Sequence, residues 1–268
     1  MKKILSTLLL PALLLSIGSF FSSCEKNANG RTTLNLVDDA SVTSLASTEY
    51  TSFLTANPPI TGTPAAEMVQ RVGARMVTAV GTYLSGINKS SLVSSYQWEY
   101  HLVNNAELNA WCMPGGKIVV YSGIIPITIT DTDLAVVMGH EIAHAVLKHG
   151  NERMSEQLLA EYGGQALAVL LSSKPAETQT LFNTAYGVGS TLGSLAFSRK
   201  QESEADEMGL YFMAVAGYNP TAAIGFWERM SAVGGAKPPE ILSTHPSDAT
   251  RIQNIKDLLP KALTYYHP

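Results

Sequence analysis

The stretch His140-Glu141-Ile142-Ala143-His144 places two imidazoles and a carboxylate within five residues. Residues four apart share one face of a helix, so both histidines can reach a single ion, and zinc suits that donor type. Glu141 lies off that face yet close enough to take a proton from water that a bound zinc has acidified to a pKa of roughly 7. Those are the parts that peptide-bond hydrolysis needs.

The flanks separate chemistry from coincidence. Leu134 to Gly139 before the motif and Ala145 to Leu147 after it are apolar almost all round, the composition of a buried helix. Asp131 is the expected N-cap, Asp133 falls in the first turn, and Gly150 behind Lys148-His149 is the expected stop. Ionisable groups inside such a helix carry a desolvation cost unless something pairs with them, and a metal does that.

A catalytic zinc takes three protein ligands and keeps one position for water. The HExxHxxGxxH solution is absent, because Leu147 stands where its glycine would be and Gly150 where its third histidine would be. His149 falls off the ligand face and is expected as a polar residue near a helix C-terminus. The third ligand is therefore sought on a second helix, in the segment from Phe197 to Gly209. Asp206 lies four residues after Glu202, over the same face, so Glu202 can bind the ion while Asp206 accepts the outer N–H of a ligating histidine. Glu204 and Glu207 point elsewhere and are expected to face water. Spacing favours Glu202 over them without excluding them.

Taken together, HEIAHAVLKH, SRKQESEAD and THPSDATRI resemble the HtpX-like and CAAX prenyl endopeptidase-like zinc metallopeptidases, family forty-eight of the metallopeptidases, and look most like its soluble lipoprotein members. A fourth block, Asn109 to Tyr121, is similar to the family's N-A-x-x-x-P-G-G strand. The likeness runs from about Pro64 to Leu263 with the blocks in the family's order. It implies one zinc ion per chain held by His140, His144 and Glu202, with Asp206 as helper and Glu141 as the general base. It also implies that His245, a loop histidine on spacing alone, lies beside the zinc. There it either stabilises the tetrahedral oxyanion or takes the metal's open position at rest. Arg251 is expected to pair with a carboxylate such as Asp206 or Asp248. The strand around Asn109, Ala110 and Trp111 is expected to bind an extended substrate by strand addition, which suits unfolded protein segments.

Residues 1–23 read as a lipoprotein signal peptide: Lys2 and Lys3, an apolar run to Phe21, then Ser22-Ser23 before Cys24 as the lipid site. The only other cysteine, Cys112, sits in an apolar strand and is expected as a buried small hydrophobe. The net charge of −4 becomes more acidic once the two lysines leave with the leader, which argues against nucleic acid as a partner. Protein or peptide substrates and a membrane reached through Cys24 are the expected partners, and the cell envelope of a bacterium, periplasm-facing or at the outer membrane, is the expected location.

The organisation follows. Residues 24–60 are expected as a flexible tether (25–44) and a short helix from Leu45 to Ala56, ahead of a peptidase domain over 61–268. Ala65 to Leu84 carries apolar residues at helical spacing, and Tyr96 to Leu102 alternates as a strand with its aromatic face buried and His101 solvated. Lys117 to Tyr121 is the next strand, and two helical stretches lie between Glu152 and Ser198. Asn219-Pro220 and Pro246 open the last two helices. The expected fold is α+β and zincin-like, mostly helical, with a small sheet lining the active-site cleft. The expected function is zinc-dependent endopeptidase action on unfolded or damaged cell-envelope proteins. Two rivals are a chaperone-like lipoprotein that binds metal without turnover, against which an intact Glu141 speaks, and an aminopeptidase, for which no G-x-M-E-N motif is present.

Overall fold

The computed structural model describes residues 24–163, 175–186, 197–233 and 249–268. The first of these segments corrects an expectation. Residues 25–44 are not a featureless tether: β1 (Cys24–Lys26) and β2 (Thr32–Leu34) form an antiparallel hairpin, and helix α1 (Asp39–Ala56) follows. The side chain of Asn27 accepts from the backbone N–H of Asn29 and Arg31, and Gly30 at φ +81° completes the turn. Strands of three residues are too short to show a period, which is why the segment reads as coil. Asp38 caps α1 by accepting from Ser41 N at 2.9 Å.

Strand β3 (Pro59–Ile60) leads to helix α2 (Pro64–Gly86), which has Thr63 as its cap and proline at its first position. The apolar stripe that reads as a helix from Ala65 to Leu84 is buried through Val69, Val72, Met76 and Val80. Strands β4 (Glu99–Val103), β5 (Ala110–Met113) and β6 (Lys117–Tyr121) join β3 in a sheet of order β3-β4-β6-β5. Because β5 is paired to β6 alone, it forms an edge of that sheet.

Alternation sends the side chains of β6 to two faces. Val119 and Tyr121 pack with Tyr50 of α1, while Ile118 and Val120 join Cys112 and the main core under α2. Cys112 is buried and unoxidised, as a small hydrophobe in an apolar strand should be. The ladder of β4 begins at Glu99 rather than Tyr96. His101 is not solvated as expected: it is half-buried and stacked on Tyr50, because α1 covers that face.

Helix α3 (Asp131–Val146) carries the HExxH motif and is buried along most of its length. Its cap is Thr130, not Asp131, in a reciprocal box with Asp133. The helix does not run to Gly150. Lys148 adopts a left-handed backbone at φ +59°, and α4 (His149–Tyr162) starts immediately after it. Helices α5 (Pro175–Tyr186), α6 (Arg199–Val215), α7 (Ala222–Val233) and α8 (Ala249–Ala262) complete the described α-helices. The architecture is α+β and mostly helical, as the sequence suggests. Among the described residues no helix is long and apolar enough to cross a membrane. The leader, the segments around Ala166 to Leu171 and Gly189 to Gly193, and the His245-Pro246 turn lie outside the described residues.

Candidate metal centre

Two glycines bring the chemistry together. A Cβ on Gly209 of α6 would lie 2.9 Å from the backbone of Gly139 and His140, and one on Gly139 would lie 2.9 Å from Gly209 O. Helices α3 and α6 therefore cross backbone to backbone, which sets His140 and His144 against the first turns of α6. Gly209→Ala must push the helices apart, at a cost of about 1–3 kcal/mol, and should weaken metal binding as His140 moves from Glu202 and Asp206. Thermal unfolding and a zinc titration of this variant check both effects; wild-type values in both would contradict the crossing.

Ser198 caps α6 in a box with Gln201, which fixes the turn holding Glu202. The Nε2 atoms of His140 and His144 lie 3.1 Å apart. Glu202 Oε2 is 3.4 Å from His140 Nε2, and Glu202 Oε1 is 3.3 Å from His144 Nε2. A tetrahedral ion with bonds of about 2.0–2.1 Å spaces its ligand atoms by roughly 3.3–3.4 Å. The three buried donors therefore fit a zinc ion by spacing as well as by type.

Behind this cluster, Asp206 Oδ1 lies 2.9 Å from His140 Nδ1. A carboxylate there accepts the Nδ1–H and leaves the Nε2 lone pair facing the other two donors. Arg251 holds Asp206 with two bonds, Nη2 to Oδ1 at 2.6 Å and Nε to Oδ2 at 2.8 Å, and sets Nη1 3.3 Å from Glu202 Oε2. Its guanidinium lies 3.6 Å over the ring of Trp227 in α7. Burial and Arg251 oppose a charge on His140, but Glu202 and Asp206 outweigh them and push its pKa up to about 9. The carboxylates that would hold a cation thus already favour positive charge at this spot. Burial holds His144 well below its ordinary value, against the pull of Glu202.

Glu141 is buried one residue from His140 on α3. Its charge reaches Cys112 of β5, whose thiol burial pushes up and Glu141 raises further. Glu141 and the edge strand β5 therefore lie close enough to interact electrostatically.

Two expectations about neighbouring residues are corrected. His149 is fully buried, with Nδ1 2.9 Å from His144 Nδ1 and Nε2 3.1 Å from Glu204 Oε2. Glu204 does not face water, because α4 and the β1–β2 hairpin cover its side of α6; Arg31 Nε reaches it at 2.6 Å. Glu207 is half-exposed and accepts from Tyr211 Oη at 2.6 Å and from Lys261.

The three residues expected to bind substrate divide. Asn109 O accepts from Tyr121 N, so the peptide groups of Ala110 and Cys112, one pleat on, turn away from β6. The Asn109 side chain is buried and accepts from Ala110 N at 2.9 Å. Trp111 points to the opposite face, edge-on to Phe53 with centroids 5.1 Å apart and bonded to Tyr121 Oη. Its indole packs the sheet against α1. Cys24 is exposed at the head of β1, and His245 is among the residues not described.

The comparisons with known proteins agree with this centre and revise the expected location. The chain is 35% identical over 205 residues to the mitochondrial metalloendopeptidase OMA1 of Schizosaccharomyces pombe, covering 73% of this chain and 59% of that protein. It is 35% identical over 181 residues to the mitochondrial metalloendopeptidase OMA1 of Homo sapiens, covering 64% and 34%. The beta-barrel assembly-enhancing protease of Escherichia coli is 29% identical over 179 residues, covering 64% and 37%. The chain thus spans less than two thirds of the length of these relatives. None of the three is of the HtpX or CAAX type. The expected bacterial envelope location is not supported, since the 35%-identical relatives are mitochondrial and the bacterial one is more distant. The pattern of peptidase family M48 matches residues 67–259, most of the chain and every element of the metal centre, and the chain belongs to that family.

Proposed function

We propose that the protein is a zinc-dependent endopeptidase that cuts unfolded protein segments. The observation that carries this reading is the convergence of His140, His144 and Glu202 from two helices at 3.1–3.4 Å, with Glu141 buried beside them. Bound there, zinc supplies a Lewis acid that acidifies water and polarises the scissile carbonyl. Glu141 accepts the proton of the attacking water and hands it to the departing amine. Asp206 and Arg251 keep His140 in the orientation that the ion requires. The peptide N–H and C=O of Cys112 and the carbonyl of Ala110, turned away from β6, offer an extended substrate a strand to pair with, giving main-chain affinity with little sequence preference. His245, by the family likeness, belongs to the same cleft. A lipid on Cys24, an exposed free cysteine, is part of the proposal, with no compartment assigned.

Incubation of the zinc-loaded protein with β-casein tests the reading. Internal fragments that vanish on chelation and return with zinc are expected. Stepwise loss of single N-terminal residues would make it an aminopeptidase, and an intact substrate with zinc bound would favour a chaperone-like role.

A further inference from the structure

Among the described residues a connected polar network runs away from His144, on the side opposite the other two metal donors. His149 Nδ1 lies 2.9 Å from His144 Nδ1, and His149 Nε2 lies 3.1 Å from Glu204 Oε2. Glu204 takes Arg31 Nε on its other oxygen at 2.6 Å, with Asn27 Nδ2 at 3.4 Å from Oε2. Arg31 also grips Glu152 through both terminal nitrogens, and Gln201 Nε2 donates to Glu152 Oε2 at 2.8 Å. Hairpin, α4 and α6 are thereby tied at one point.

Direction along this chain follows from its last member. With Arg31 beside it Glu204 is a carboxylate, which only accepts, so His149 Nε2 must donate. A neutral imidazole carries one N–H, so His149 Nδ1 is an acceptor. His144 Nδ1 must then be the donor, which leaves His144 Nε2 with a lone pair aimed at Glu202 and His140. A buried histidine without this constraint could equally place its proton on Nε2, where it would block the ion.

We propose that His149, set by Glu204 and Arg31, is a positioning residue that fixes the tautomer and ring angle of His144 for the metal. It does for His144 what Asp206 does for His140, with a second histidine inserted between ligand and carboxylate. The inference rests on the zinc-peptidase reading above. It also makes the β1–β2 hairpin part of the metal centre, since Arg31 reaches the relay from the hairpin turn.

Glu204→Gln separates positioning from mere packing, because it preserves shape. Arg31 has no acceptor atom, so the new amide turns its oxygen to Arg31 and its NH2 to His149 Nε2. His149 must then accept there and donate from Nδ1, which meets the N–H of His144 and drives His144 to the blocking tautomer. Zinc affinity, measured by chelator competition on folded protein, is expected to fall about 10–100-fold, as for other outer partners of metal ligands. His149→Phe, which fills the volume without an acceptor, should fall similarly. Nitrogen-15 NMR of the folded, zinc-free wild type should show His144 protonated at Nδ1, a signal that neither packing nor the metal sets, and Glu204→Gln should move that proton to Nε2.

His144→Ala is the control for the underlying site. If it loses zinc while both relay variants keep wild-type affinity, the relay is overturned and the metal site stands. If it retains zinc, the metal-site reading fails and the relay with it. Should His149→Phe not fold, Glu204→Gln alone decides.

Discussion

Glutamine in place of Glu141 is expected to leave zinc bound at the wild-type stoichiometry while lowering peptide hydrolysis about 10²–10⁴-fold, the range a general base supplies. The two side chains match in size, and the three atoms that converge for the ion come from His140, His144 and Glu202, not from Glu141. The fold should therefore not change. The neutral amide cannot take the proton of the attacking water, so the loss should fall on kcat with KM nearly unmoved. Burial strengthens this expectation, because bulk water cannot easily deputise for a base that is only 4% exposed. Single-turnover cleavage of a quenched casein, with zinc content determined on the same preparation, checks it. Loss of zinc from the variant would make Glu141 a ligand.

How much of this site was legible in the sequence varied with the range of the interaction. The HExxH helix was evident because its apolar flanks and its spacing lie within one helix, as was the stripe buried by α2. Spacing also placed Glu202 and Asp206 on a common face, and the structure sets Glu202 against both histidines and Asp206 against His140. The same logic placed Glu204 on another face, but it could not say that the face is covered. That cover comes from Arg31 and Glu152, 173 and 52 residues away along the chain, with no local mark.

His149 was misread for a related reason. The break between α3 and α4 rests on a lysine in a left-handed conformation, which local composition does not announce. Read as the tail of the first helix, His149 falls off the ligand face; as the first residue of the next, it swings back onto His144. The Gly139–Gly209 crossing was equally hidden, since a close approach of two helices is a property of both at once. The signal that was available is the coincidence of two unneeded groups, His149 and Glu204, beside two blocks that already carried chemistry.

Removal of Glu202 is the other change with a large expected effect. It deletes one of three ligands, so its cost should exceed the roughly 10–100-fold that outer partners contribute to metal affinity. Arg251 keeps both its bonds to Asp206 in that variant, so the helices should stay together and the protein should stay folded. Glu207→Ala, on a residue held by Tyr211 and Lys261, should retain the metal. Zinc content is therefore to be measured, after dialysis against a weak chelator, in wild type, Glu202→Ala and Glu207→Ala with folding verified in each. About one zinc per chain is expected in the first and third and almost none in the second. A folded Glu202→Ala protein that still holds one zinc per chain, or a wild type that binds none, would contradict the assignment of this centre.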